Sequence, residues 1–161
     1  MTALEPRIRA FDRADPADHA FVIGLSPRLA AVAELDWHPI ADVLSFQRGY
    51  TADLLAEGGT ACIALIAEDR VGCRLGFAIA QERADEITGE ACCHLALLCL
   101  TEAAEGHGIA AALMRAVEAW AAAQGHRLMT LAVFANNSRG RAFYKRLGFF
   151  DDTLTMTRPL R

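Results

Sequence analysis

A chain of 161 residues with 53% hydrophobic content is long enough for one well-buried core and too short for two comfortable domains. Its formal net charge of -4, with acids and bases interspersed, leaves no basic stripe to track a nucleic-acid backbone. Met1 to Asp15 carries Glu5, Arg7, Arg9, Asp12 and Arg13 with no apolar block, and no later run nears the roughly 20 residues a bilayer requires, so the expectation is a soluble cytoplasmic protein with no membrane contact.

Arg7 to Ala10 reads as a short first strand, and Pro16 opens a helical stretch that fades by Gly24. Arg28 to Leu35 carries a second short helical pattern, broken at Trp37-His38-Pro39. From Ile40, apolar residues at Val43, Leu44, Tyr50, Leu54 and Leu55 recur at helical spacing up to a Gly58-Gly59 stop. The period then changes. Thr60 to Ala67 and Leu75 to Ala80 are short apolar runs around the polar turn Glu68 to Gly72, which predicts a β-hairpin. After a charged linker, Gln81 to Glu90, the run Ala91 to Leu100 is apolar on both faces and belongs in the middle of a sheet.

Gly108 to Gln124 places Ile109, Leu113, Val117 and Trp120 on one stripe, with Gly125 as the stop; it is the clearest helix in the chain. Leu128 to Val133 returns as a strand. Asn136-Asn137-Ser138 is a helix start signal, and the helix it opens ends at Gly148. Asp152 to Thr157 closes as a final strand. The five cysteines, Cys62, Cys73, Cys92, Cys93 and Cys99, lie in apolar runs without CxxC or Cys/His spacing, and read as buried thiols with no metal. Strands and helices in this order predict an α/β sheet covered by helices on both faces.

The turn Glu105-Gly106-His107-Gly108-Ile109-Ala110, between a strand and a strong helix, has the makings of an anion site. The first N–H groups of a helix lack internal partners and point along the positive end of its dipole. Glycines at 106 and 108 leave no Cβ to hold a phosphate away from those amides. Alone, a glycine before a helix is more often only a turn. The spacing fits neither GxGxxG after a first strand nor a P-loop.

The same turn does resemble the acyl-CoA motif Q/R-x-x-G-x-G/A of the GNAT acetyltransferase superfamily. Ala91 to Leu100 looks like the central fourth strand of that family. Asn137 followed by Phe143-Tyr144-Lys145-Arg146-Leu147-Gly148-Phe149 is similar to its "N…A..FYeklGF" signature, and Met156 to Leu160 looks like its last strand. The resemblance runs from about Ala91 to Phe150, and in element order from Thr60; the N-terminal third shares only its two helices. Glu105 departs from the motif's Gln or Arg, and a carboxylate beside a pyrophosphate is unfavourable unless it points to solvent. Gly140 stands where the family usually has Ala.

The resemblance implies a GNAT-type fold of about six or seven strands in a mixed sheet. It also implies transfer of an acetyl group from acetyl-CoA, without a metal, to a small-molecule or protein amine, and dimers are common in the family. A CoA-binding sensor of the same fold that has lost its chemistry is the alternative, motivated by Glu105. By resemblance, Leu98, Cys99 and Leu100 would hold the pantetheine arm through main-chain groups, and the amide of Leu98 would face the thioester oxygen. Glu105, Gly106, His107, Gly108, Ile109 and Ala110 would hold the pyrophosphate, and Asn137 would cap a helix and touch the pantetheine arm.

Tyr144 falls at the family's general acid; alone it reads as a half-buried packing tyrosine. His94, eleven residues before Glu105, falls where relatives carry a glutamate or histidine base. Its other reading is a satisfied core histidine. Cys92 shares the His94 strand face and could line the acceptor site. Glu34, Asp36 and Asp42 lie where acidic groups would suit a cationic amine, though they are also ordinary surface residues. Arg139, Arg141, Lys145 and Arg146 make the last helix basic, with one or two of them placed to meet phosphates or simply solvated.

Overall fold

The computed structural model of the chain describes residues 5–57, 59 and 61–160. One sheet of five strands runs in the order β1 (Arg7–Ala10), β2 (Cys62–Glu68), β3 (Arg74–Ala84), β4 (Ala91–Leu100) and β5 (Met129–Leu131). The first four are antiparallel, and β5 lies parallel to β4, which makes the sheet mixed. The helices are α1 (Pro16–Leu25), α2 (Pro27–Ala31), α3 (Ile40–Ala56), α4 (Ile109–Ala123) and α5 (Ser138–Arg146), with a 3-10 turn at Glu102–Ala104.

Helices cover both faces because the strands bury residues on both. On one face Ile109, Leu113, Met114, Val117 and Ala121 of α4 pack on Leu65, Ala67, Ala78, Ala80, Cys93 and Leu95. On the other, Val22 of α1 and Leu54 and Leu55 of α3 pack on Ile66, Phe77, Ile79, Leu97 and Cys99. Burying side chains on two faces is what turns β2 to β4 into near-continuous apolar runs rather than alternating ones.

Strand β4 carries a bulge. Ile79 pairs with Leu97 and Ala80 with Leu95, so Ala96 faces no partner on β3. An extra residue inverts the alternation beyond it. Cys93 and Leu95 therefore point to α4, while Leu97 and Cys99 point to α1 and α3.

An ion network fastens α1 to the sheet. Asp18 is fully buried. Its carboxylate accepts from Arg9 Nη1 at 2.6 Å and Nη2 at 2.7 Å, from Arg74 Nε at 2.7 Å and from the Asp12 amide at 2.9 Å. Arg9 also donates to Glu68 on β2, and Arg74 to Asp15, the N-cap of α1. Four donors on one buried carboxylate satisfy it completely, and Arg9, its leading partner, holds its pKa well below the usual carboxylate range.

Several expectations need correction. The sheet has five strands, not six or seven, among the described residues. Asp152 to Thr157 and Met156 to Leu160 form no strand; residues 151–160 are exposed, because they pair with no neighbouring strand. Gln81 to Ala84 is not linker but the end of β3, paired with Ala91 to His94. Of the cysteines, Cys92, Cys93 and Cys99 are buried, but Cys62 is only half-buried and Cys73 is exposed in the turn before β3. Gly58 and Thr60, assigned to a helix stop and a strand start, lie outside the described residues.

Replacement of Asp18 by Asn leaves Arg9 and Arg74 without their shared carboxylate. Removing one partner of a buried ion pair costs 3–5 kcal/mol. Because both arginines retain some solvent access, the lower end, about 3 kcal/mol, is expected for Asp18→Asn in urea denaturation. The carboxylate's folded pKa is depressed, so its contribution is complete above the unfolded value and shrinks as pH falls from there towards the folded one. Wild-type stability should therefore drop below about pH 4 more steeply than that of Asp18→Asn. Equal slopes would show that Asp18 is not the titrating group.

Candidate functional site

β4 is paired with β3 along its length but with β5 at only Cys93, His94 and Leu95. Past Leu95, among the described residues, no strand pairs with it on that side. The amide of Thr101 donates to Leu75 O on β3. Backbone groups alternate sides along a strand, so Cys99 turns its amide and carbonyl to β3 while Leu98 and Leu100 turn theirs to the open edge. Before the bulge the parity is opposite, as the Cys93 amide bonded to Leu128 O next to β5 shows. The structure thus sets Leu98 and Leu100 on the free edge and takes Cys99 off it. The Cys99 thiol instead lies 3.7 Å from Leu25 O at the end of α1.

The free edge leads into the glycine turn. Gly106 and Gly108 have φ of 79° and 78°, a left-handed conformation that L side chains rarely adopt. A Cβ built on either would meet nothing within 4 Å, so the turn faces open space at both positions. Gly108 is the N-cap of α4 without any side-chain cap bond, and Ile109 behind it is fully buried. His107 Nδ1 is buried and has no hydrogen-bond partner, an orphan that natural structures seldom leave. A cradle of bare amides, open to solvent and on a helix's positive end, fits a diphosphate.

Glu105 does not point freely to solvent. Its Oε1 accepts from Arg28 Nη2 at 2.8 Å, and its Oε2 accepts from Arg139 Nη1. The two cations, the Arg139 bond foremost, lower its pKa, so it is ionised and neutralised in place. Arg28 carried no sequence signal, because its nearness to the turn comes from where α2 packs against α1 and α3. Of the other basic residues of α5, Arg141 and Lys145 pair with Asp151.

Tyr144 is set by α5. Asn137 Oδ1 caps that helix by accepting from the Gly140 amide at 2.9 Å. Gly140 has a reason to lack a side chain: a Cβ there would stand 2.6 Å from Asn137 Nδ2. Phe143 and Phe149 meet the Tyr144 ring edge-on, with centroids 5.2 and 5.8 Å apart. Burial first, and the neighbouring Cys99 second, push the phenol up to about 12, so it holds its proton across the physiological range. The same burial raises Cys99 to about 12 and Cys93 to about 11, which leaves these thiols un-ionised and poor nucleophiles.

His94 lies on the other side of the bulge. Its Nδ1 is 2.9 Å from Thr130 Oγ1 on β5. Burial and then the Arg83 charge hold it down to about 4, so the ring is neutral at pH 7. Four residues of strand separate it from Leu98, roughly 13 Å at the usual rise. Cys92 is buried two residues before it. Glu34, Asp36, Trp37, His38 and Asp42 are all exposed, so the structure gathers no acidic pocket from them. Among the described residues no cluster of three or more His, Cys, Asp or Glu side chains is arranged to hold a metal, and no helix is long and apolar enough to cross a membrane.

Residues 29–149 match the model of the Acetyltransferase (GNAT) family. No curated protein sequence matches the chain. Among solved structures, a putative acetyl transferase from Pyrococcus furiosus is 18% identical with a TM-score of 0.78, over 97% of this chain and 100% of that one. Aminoglycoside N-acetyltransferase AAC(6')-Iy, solved with a CoA bisubstrate analogue, is 21% identical with a TM-score of 0.67, over 98% of this chain and 99% of its own. Glucosamine-6-phosphate N-acetyltransferase from Arabidopsis thaliana is 11% identical with a TM-score of 0.63, over 97% of this chain and 99% of its own. At such identities the likeness is one of fold.

The glycine turn is testable without any ligand. Gly108→Ala forces a side chain into the left-handed region at roughly 1–2 kcal/mol. A melting temperature several degrees lower is expected by calorimetry. An unchanged value would show that the turn relaxes to another conformation.

Proposed function

The chain belongs to the acetyltransferase (GNAT) family, and from that premise we propose that it transfers an acetyl group from acetyl-CoA to a primary amine by direct attack. The observation that carries this reading is the free edge of β4, which offers the Leu98 and Leu100 main chain beside a glycine turn built for a diphosphate. An extended pantetheine arm carries amides of its own, and pairing with those unpaired backbone groups is the interaction such an edge favours.

In this reading the amine nitrogen attacks the thioester carbonyl carbon, the C–S bond breaks and the thiolate leaves with a proton. The Leu98 amide stabilises the developing oxyanion, a role indifferent to side-chain identity. Tyr144 donates the proton to sulfur; a phenol that stays protonated at neutral pH suits an acid in that step. Asn137 contributes by capping α5 and so fixing the helix that carries Tyr144.

His94, a weak base when held down to about 4, takes its proton from the amine nitrogen as the C–N bond forms and that nitrogen becomes acidic, not from the free ammonium. At roughly 13 Å along the strand from Leu98 it acts through intervening water rather than by contact. Its Thr130 bond fixes the ring and leaves Nε2 for that relay. Direct transfer is favoured over an acetyl-cysteine route through Cys92, because that thiol is buried. The acceptor is a small-molecule or protein amine. Pairing of Glu105 with Arg28 and Arg139 supports the enzyme reading over a CoA-binding sensor.

Acetyl-CoA at saturation should raise the melting temperature, and release of free CoA thiol with at least one of a panel of amines should exceed hydrolysis. No thermal shift would sink the CoA reading, and hydrolysis alone across the panel would return it to a sensor. Tyr144→Phe should lower kcat about 100-fold with little change in the Kd for CoA. Unaltered turnover would remove Tyr144 as the acid.

The pH dependence separates the roles of His94. Its folded pKa is held down to about 4, below the ordinary 6.5, so the imidazole is a neutral acceptor from about pH 5 upwards. The rate should show no inflection near pH 6.5, and His94→Gln should lower kcat at pH 7 about tenfold. Unchanged kcat in His94→Gln would make His94 a packing residue.

A further inference from the structure

We infer that Arg28 and Arg139 are the side-chain ligands of the CoA diphosphate and that Glu105 is the residue that positions them. The inference rests on the acetyl-CoA reading above and goes beyond it. Three residues distant in sequence meet at the mouth of the glycine turn: Arg28 from α2, Arg139 from the first turn of α5, and Glu105 from the step into α4. Each carboxylate oxygen takes one guanidinium.

Charge decides what this cluster does. A lone carboxylate beside the turn would repel a diphosphate. Two guanidiniums and one ionised carboxylate sum to a single positive charge, the charge that the arginine form of the motif would bring at position 105. The substitution of acid for base is thus compensated by two cations from elsewhere in the fold. Each arginine uses one nitrogen on Glu105, Nη2 of Arg28 and Nη1 of Arg139, and the remaining donors of each planar fork stay available to phosphate oxygens. Their side chains are 38% and 73% exposed, so a ligand arriving from solvent reaches them.

Glu105 acts on their geometry. Arginine side chains have large rotamer freedom, and fixing them before the ligand arrives removes part of the ordering cost of binding. Exposed ion pairs add little to stability, so holding the cluster together for the fold alone would gain little. Arg28 also ties the α1–α2 side of the molecule to the cofactor turn, and Arg139 ties α5, which bears Tyr144.

The test compares acetyl-CoA with acetyl-pantetheine, which lacks the phosphates, as acetyl donors, and measures CoA affinity by calorimetry. Arg28→Met and Arg139→Met should each raise the Kd for CoA about tenfold, the loss of one charge-assisted contact. The ratio of kcat/KM for acetyl-CoA to that for acetyl-pantetheine should fall by the same factor. Glu105→Ala should weaken CoA binding about threefold although it removes a negative charge, and within that background Arg28→Met should cost less than it does in the wild type. Arg139→Lys, which keeps the charge without the fork, should recover only part of the loss.

An unchanged donor ratio would show that the arginines act through the fold and overturn their assignment as ligands. Tighter CoA binding by Glu105→Ala, or arginine effects that are the same with and without Glu105, would overturn the positioning role. Wild-type protein that fails to bind CoA at all would instead sink the acetyl-CoA reading itself.

Discussion

Strand β4 is held on one side for its whole length and on the other for three residues, and the candidate site is the consequence. A central strand normally has every amide and carbonyl paired, because an unpaired buried peptide group is costly. Here β5 stops at Leu131, and among the described residues the second half of β4 is left with one free, half-exposed edge. The bulge at Ala96 fixes which groups that edge displays. Without the extra residue the parity would be reversed, and Leu97 and Cys99 would turn their main chains to the gap in place of Leu98 and Leu100.

The surroundings of that edge are fixed by packing on both faces. The α4 stripe anchors the helix whose N-terminus closes the glycine turn. On the opposite face, α1 is fastened to β1, β2 and β3 through Asp18, Arg9, Arg74 and Glu68. The far end of α1 lies near Cys99 and leads directly into α2, which carries Arg28. In the sheet, Gly76 lacks a side chain for a steric reason, since a Cβ there would stand 2.4 Å from the Leu100 side chain and 2.7 Å from Cys99 O.

Burial sorts the titratable groups without any need for a metal or an unusual residue. It pushes Tyr144, Cys93 and Cys99 up and His94 down, so that each of them is neutral at pH 7. Beside the glycine turn the charged groups are Arg28, Glu105 and Arg139, which pair with one another.

The sequence by itself determined the local elements. Arg7–Ala10 and Ala91–Leu100 stand as read, and the α4 stripe, the Asn137 cap and the glycine turn were each written in residues a few positions apart, within reach of propensity and period. It also marked Tyr144, His94 and the turn as candidates, since these sit in a motif that is local in the chain. Pairing was beyond it. Asp152 to Thr157 has the composition of a strand and forms none, because a strand exists only with a neighbour at hydrogen-bonding distance. The bulge at Ala96 leaves no local mark, and without it Cys99 could not be told from Leu98 and Leu100. The partners of Glu105 lie 77 and 34 residues away. Read along the chain, Glu105 is an isolated negative charge beside an anion site. Only the tertiary fold, by bringing α2 and α5 to the turn, decided that its neighbourhood is positive, since electrostatic environment depends on distance in space and not on separation in sequence.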